Sequence, residues 1–366
     1  MKFADLLREH WPAYVAQAGG KIAPDHWRAA EAVLSCRTPR CGGHLYHCPD
    51  CSRHHYQFHS CNHRSCPQCG AVGQQHWSST QEARLLPVPY YLLTITVPEA
   101  LRPFCLRHPR ELYDMLLVVS ARALSELCRE PKHFGGQCGF ISVLQTWTRR
   151  MLHHPHVHIL IPAVALGEDG CHLRHPANEE FLIPVKALSA RIRQRFAERL
   201  ANEHPDLYRQ IDPSLWQQPW VTHCQPAGQG RSALRYLAAY VARSAFNEGR
   251  LVGYDERGRV LLRYKDSADG CWKSEPVEPL ELIRRWLLHV LPKGFVAVRH
   301  FGFLSPAAGL AFRRVRFLLG RGPVVKTTRA PYAPACPCCQ KPMILAGRIQ
   351  PVRGPPLSRG ILHQAA

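Results

Sequence analysis

The stretch His153-His154-Pro155-His156-Val157-His158-Ile159-Leu160-Ile161 sets imidazoles at the start of an apolar run. In a strand, residues two apart share a face, so His156 and His158 point together while Val157, Ile159 and Ile161 point to a core. Two adjacent imidazoles hold one divalent cation and leave coordination positions open, which suits chemistry on a phosphate. A third ligand is needed, and Gln145, in the preceding run GFISVLQTW, is the candidate. The competing reading is a pair of surface histidines on an amphipathic strand. Farther on, QGRSALRYLAAYVARSAFN reads as a helix over Ser232–Asn247 with Ser232 as N-cap. Leu234, Leu237, Ala238, Val241 and Ala245 fall on one stripe, and Tyr236, Tyr240, Arg243 and Asn247 on the opposite one. Tyrosines on a helix usually pack, but these two project away from the side that must be buried. A phenol is a competent nucleophile on phosphorus when a cation polarises the phosphate.

Cysteines supply a second chemistry. Seven of the 16 crowd one short segment: Cys36, Cys41, Cys48, Cys51, Cys61, Cys66 and Cys69. Cys48-x-x-Cys51 and Cys66-x-x-Cys69 have the spacing by which two thiolate pairs close one tetrahedral zinc site. Cys36, Cys41, His44 and Cys61 remain for a second ion. Such sites are structural, and Arg37, Arg40, Arg53 and Arg64 beside them would face an anion. Cys336 and Cys339 form one further CxxC without an obvious partner pair, with Cys338 between them.

The elements that must position these groups are mixed. Residues 1–30 read as a helical lead-in and 31–75 as a segment too poor in aliphatic residues to fold without a staple. LLPVPYYLLTITVP, GFISVLQTW, HVHILIPAVAL, WVTHC and FVAVRHFGFL read as strands, and Glu111–Glu130, Val185–Glu203 and Glu278–Leu291 as helices. LVGYDERGRVLLRYKD reads as a hairpin turning near Glu256–Gly258. There is no regular βαβα rhythm, so the class is α+β. The expected division is a zinc-binding region over 1–75, a main body over 76–320 and a loose basic Pro/Gly-rich tail over 321–366.

Among 366 residues, 47 Lys and Arg face 27 Asp and Glu, a formal net charge of +20 that points to a polyanionic partner. A hydrophobic content of 46% argues against disorder. Apolar runs are too short to span a bilayer, and Asp5, Arg8 and Glu9 stand where a secretion signal would be apolar. The cysteines are therefore expected reduced, in a bacterial cytoplasm beside the nucleoid. The basic helix Val185–Glu203, with Arg191 and Arg195, is expected near DNA phosphates, as are Arg243, Arg284, Arg285 and Lys293.

An HxH strand followed by YxxxY on a helix resembles the two-tyrosine rolling-circle nucleases, and the chain as a whole resembles the transposases of the insertion sequence 91 family. The resemblance runs from about Cys36 to Leu304 through CGGHLYHCPDC…SCNHRSCPQC, LLPVPYYLLTITVP, HPHVH, RYLAAYVAR, RYKD and RRWLLHVLPKGF…RHFGFL. It implies an N-terminal zinc domain and a nuclease domain built on a central antiparallel sheet. It makes His156 and His158 the ligands of Mg²⁺ or Mn²⁺ and Tyr236 and Tyr240 the nucleophiles on single-stranded DNA. It also implies rolling-circle movement through phosphotyrosine links. The sequence departs from the family pattern around the second tyrosine, where Ala239, Val241 and Ala242 stand although Arg243 is kept. Two other readings compete: a non-catalytic zinc-dependent DNA-binding regulator, and a replication initiator or relaxase with the same chemistry. Oligomeric state is not legible.

Overall fold

A computed structural model describes residues 1–177, 182–241, 244–266, 268–324, 333–352 and 354, and within these not the side chains of Val72, Ala239 and Tyr240. The chain opens on two helices, α1 (Phe3–Gln17) and α2 (Pro24–Ser35), in place of one lead-in. Gly19 and Gly20, both at positive φ, separate them. A hairpin of β1 (Gly43–His47) and β2 (His54–Phe58) follows, then α3 (Ala71–Glu82), a helix the apolar periodicity does not announce. Next come β3 (Tyr90–Thr96), α4 (Arg102–Arg107), α5 (Pro109–Arg129), β4 (Gly139–Trp147) and β5 (His153–Pro162). After a small ladder of β6 (Ala165–Leu166) and β7 (Leu173–Arg174), the chain forms α6 (Val185–Glu203), α7 (Pro205–Arg209), β8 (Thr222–Pro226) and α8 (Arg231–Val241). The expected hairpin becomes a three-stranded meander, β9 (Leu251–Tyr254), β10 (Val260–Lys265) and β11 (Trp272–Val277). Asp255 holds its first turn by accepting the Arg257 and Arg259 backbone N–H groups. The last elements are α9 (Pro279–Leu287), β12 (Val298–Gly302), α10 (Gly309–Leu318) and β13 (Ile344–Ile349).

The class is α+β, as read from the sequence. A five-stranded sheet in the order β12-β4-β5-β3-β8 is antiparallel at every pairing. Its two faces bury different partners. Val157, Ile159 and Ile161 of β5 join Leu93, Phe140 and Leu144 under α5 and α6. Leu188, Ile192, Phe196 and Leu200 of α6 recur every fourth residue and are buried there, each contributing about 1.5–3 kcal/mol. On the other face Leu92, Val143 and Leu160 pack with Leu234 and Leu237 of α8 and with Phe312 and Val315 of α10. A third cluster joins α1 and α2 to α9 and the meander, with Trp11 and Trp286 fully buried.

Two boundaries differ where the site is built. The tyrosine helix starts at Arg231, so Ser232 lies inside its first turn and is not the N-cap; Ser244–Phe246 are no longer helical and Asn247 lies outside it. Gly230 takes the preceding position at φ +77°, and a Cβ there would sit 2.7 Å from the Tyr90 ring, so that ring sets where the helix begins. The segment 333–352, expected in a loose tail, is folded: β13 pairs antiparallel with β1 and makes the hairpin a three-stranded sheet. Among the described residues no helix is long and apolar enough to cross a membrane.

Candidate active site and cysteine clusters

Strand alternation delivers His156 and His158 to the face of the sheet that α8 covers. Across the ladder Gln145 stands opposite His156, and Thr94 and Thr96 stand opposite His158 and His156. The imidazoles meet edge to face with centroids 4.7 Å apart. Both are buried, and loss of water pushes His156 down to about 4 and His158 to about 3, the latter also through His156. Both rings are therefore neutral near pH 7, the form that ligates metal.

Each ring is oriented through Nδ1. His156 Nδ1 donates to the His154 carbonyl at 2.7 Å, and His158 Nδ1 lies 3.0 Å from Thr94 Oγ1. With its Nδ1–H so engaged, His156 carries its lone pair on Nε2, whereas His158 accepts the Thr94 hydroxyl at Nδ1 and turns Nε2 toward Gln145. His158 Nε2 lies 3.1 Å from Gln145 Oε1. The Gln145 amide donates from Nε2 to the Trp147 carbonyl at 2.8 Å, which turns Oε1 toward the imidazoles. The two imidazole rings and the Gln145 amide oxygen thus share one pocket, a neutral donor set able to hold a divalent cation and leave coordination positions open. The Tyr236 ring stands edge-on over His158, centroids 5.5 Å apart, and is 43% exposed. Tyr240 follows one turn later on α8; its side chain lies outside the described residues, as does Arg243.

Thr94 was not a sequence candidate. Its signal was present, because Thr94 and Thr96 interrupt the apolar run of β3 with period two and so mark one face as polar.

The cysteines sort differently from the expectation. Cys36, Cys61, Cys66 and Cys69 form one set and Cys48, Cys51, Cys336 and Cys339 another, each with all four sulfurs within 4.8 Å of one another. Sγ separations of 3.6 Å (Cys61–Cys69) and 3.5 Å (Cys48–Cys339, Cys51–Cys336) match the roughly 3.8 Å edge of a tetrahedral zinc–thiolate site. The two N-terminal CxxC pairs do not share an ion, because the hairpin lies between them. Cys48 and Cys51 occupy its turn, whereas Cys36 and Cys61 flank its open end, about 17 Å away for five residues of strand. Cys336 and Cys339 reach the turn because β13 runs beside β1 from that end. Cys41 and His44 belong to neither set: the Cys41 thiol donates to the Ser35 carbonyl at 3.0 Å, and His44 packs on His59.

The expected DNA-contacting arginines of α6 are engaged elsewhere. Arg191 pairs with Glu130, just past the end of α5, at 3.0 Å and Arg195 with Glu126 of α5 at 2.8 Å, on the sheet face away from the histidines. Arg284 and Arg285 pair with Glu281. Lys293 is exposed beside the first cysteine set.

Known proteins match this arrangement along its length. Residues 6–97 match the family described as "Transposase zinc-binding domain" and residues 139–309 the family described as "Putative transposase". The chain is 32% identical over 392 residues to "Putative transposase y4qJ" of Sinorhizobium fredii (strain NBRC 101917 / NGR234), covering 96% of each. The chain belongs to the insertion sequence 91 family of transposases. It is also 27% identical over 291 residues to the "Transposase for insertion sequence element IS801" of Pseudomonas savastanoi pv. phaseolicola, covering 75% of this chain and 68% of that one. No solved structure matches it. As a transposase it is a DNA-binding, DNA-cleaving enzyme, and its two cysteine sets suit the structural zinc of the first matched family.

Proposed function

We propose that this transposase cuts and rejoins single-stranded DNA through phosphotyrosine links, in a rolling-circle mode of movement. The observation that carries the reading is the edge-on approach of Tyr236 to His158, whose Nε2 faces Gln145 Oε1. His156, His158 and Gln145 would hold the ion, Mg²⁺ or Mn²⁺; when bound, it polarises the scissile phosphate and offsets charge on the leaving oxygen.

The chain's own groups do the rest. Tyr236 sits on a packed helix, so its hydroxyl is presented at a fixed distance from the imidazole pair. The phenol oxygen attacks phosphorus and its proton passes to solvent. The O–P bond to tyrosine forms as the bond to the 3′ oxygen breaks, and that oxygen leaves as a 3′-OH after taking up a proton. Tyr240, one helical turn away, makes the matching cut on the second strand. Each 3′-OH then attacks the other phosphotyrosine, restoring the phenols and exchanging the strands. Every phosphodiester is traded for a phosphoester, so no external energy source is required. The zinc-bound region over 1–75, with the returning segment 333–352, would brace the nuclease body over 76–320. Family membership favours transposition over a replication initiator or a non-catalytic regulator.

The test is incubation of labelled single-stranded DNA from the flanks of the gene with the protein and Mg²⁺, read on a denaturing gel. A covalent adduct is expected for the unaltered protein. Tyr236→Phe and Tyr240→Phe are each expected to retain it, the double variant to lose it, and His156→Ala to lower it by at least 100-fold. An undiminished adduct in the double variant contradicts the tyrosine assignment.

A further inference from the structure

We propose that two basic grooves flanking α3 join into one track that binds a single DNA strand and leads it past the tyrosine helix. The proposal rests on the single-strand reading above and adds where the strand lies. The first groove, of about 940 Å³, runs between the first cysteine set and the 291–298 segment. Arg28, Arg37, Arg64 and Lys293 line it against one carboxylate, Asp25, which already accepts from the Lys293 backbone N–H at 3.0 Å and pairs with Arg28. The second, of about 820 Å³, lies between α3 and α10 and is lined by Arg84, Arg313, Arg316 and Arg321, with no carboxylate among its described lining residues. His76 of α3 lines both grooves, so they meet across that helix.

The cations divide by role. Arg84 donates to the Leu304 carbonyl at 3.1 Å, and Arg316 donates to the Gly322 carbonyl at 2.8 Å, so these two shape the wall. Arg37, Arg64, Lys293, Arg313 and Arg321 are exposed and pair with no carboxylate among the described residues. On α6 and α9, by contrast, arginine after arginine meets an acid. Cations without a carboxylate partner lining both grooves are what a flexible polyphosphate requires. Phe317, 78% exposed beside Arg316 and Arg321, adds a ring on which a base can stack. A duplex carries its phosphates on the outside of a wide, stiff cylinder and cannot line both walls of such grooves.

The track also reaches the tyrosine helix. Val241, at the end of the tyrosine helix, lines the first groove. α3 is tied to that helix by Glu82, which accepts from Arg235 Nε at 3.1 Å.

Zinc-loaded full-length protein would be titrated into fluorescein-labelled dT20 without added Mg²⁺, and binding followed by anisotropy across salt concentrations. Arg64→Gln/Lys293→Gln and Arg313→Gln/Arg321→Gln are each expected to weaken binding at least 10-fold and to flatten the log–log salt slope by roughly 1.4, two contacts at about 0.7 each. Phe317→Ala is expected to weaken it 5-fold or more with the slope unchanged. Arg191→Gln/Arg195→Gln, which removes equal charge from α6, should change neither. Unchanged zinc content certifies the fold of each variant. The track is overturned if the groove variants bind like the unaltered protein, if the α6 control falls as far, or if duplex DNA binds more tightly and loses as much. An adduct that forms normally while groove variants bind unchanged sinks the track alone. The expected binding pattern without an adduct on any DNA sinks the chemistry alone.

Discussion

Thr94 decides which nitrogen of His158 faces the site. Its hydroxyl lies 3.0 Å from Nδ1 and leaves Nε2 toward Gln145. Such outer partners are worth about 10–100-fold in metal affinity. Thr94→Val keeps the shape of the side chain and removes the partner, so Mn²⁺ affinity by titration calorimetry is expected to fall by about that factor while the thermal midpoint moves little. Unchanged affinity would mean that the hydroxyl does not orient the ring. At this scale the histidine pair was legible in the sequence because two-residue alternation is a property of any strand. The cysteine partition was not: spacing counts residues, whereas the hairpin sets how far apart Cys51 and Cys66 end up. The acids that Arg191 and Arg195 meet were not legible for a related reason, since a basic helix read alone does not reveal the carboxylates of the segment packed against it.

The site's elements meet because each spends its apolar stripe on the core. α8 buries Leu234, Leu237 and Ala238 and so leaves Tyr236 beside the sheet. That stripe was readable in the sequence, but the start of the helix was not, because the Tyr90 ring packs against Gly230 from a distant strand. Behind β4, His289 is fully enclosed: Nδ1 lies 3.2 Å from Thr146 Oγ1 and Nε2 3.0 Å from the Met151 carbonyl. Burial holds its imidazole down at about 4, against 6.5 when unfolded. The unfolded chain therefore binds one more proton between those values. The stabilisation is complete above pH 6.5 and drains away as pH falls toward 4. Denaturant titrations across that range are expected to show His289→Gln losing stability less steeply than the unaltered protein, by up to about 1.4 kcal/mol per pH unit. Parallel curves would contradict a neutral, buried His289.

Over the whole molecule the chain returns on itself. β13 pairs with β1, and Cys336 and Cys339 complete the set begun by Cys48 and Cys51. The first set is built into the core that joins α1 to α9, where Trp286 Nε1 donates to the Ser65 carbonyl at 2.7 Å beside Cys66. Two zinc ions per chain are expected by elemental analysis, and Cys336→Ser/Cys339→Ser should leave one and expose the 333–352 segment to protease. Two ions retained in that variant would contradict the second set. Nothing local in the C-terminal sequence announced this return, since one CxxC has no meaning until its partner pair is brought beside it. The central claim, that imidazoles and tyrosine form one phosphoryl-transfer centre, is tested most directly by mass spectrometry. The protein is trapped with single-stranded DNA and Mn²⁺, digested with nuclease and protease, and the modified peptide sequenced. The account predicts a 5′-phosphonucleotide on Tyr236 or Tyr240, absent in His158→Ala. A nucleotide carried by any other residue, or one that persists in His158→Ala, would contradict it.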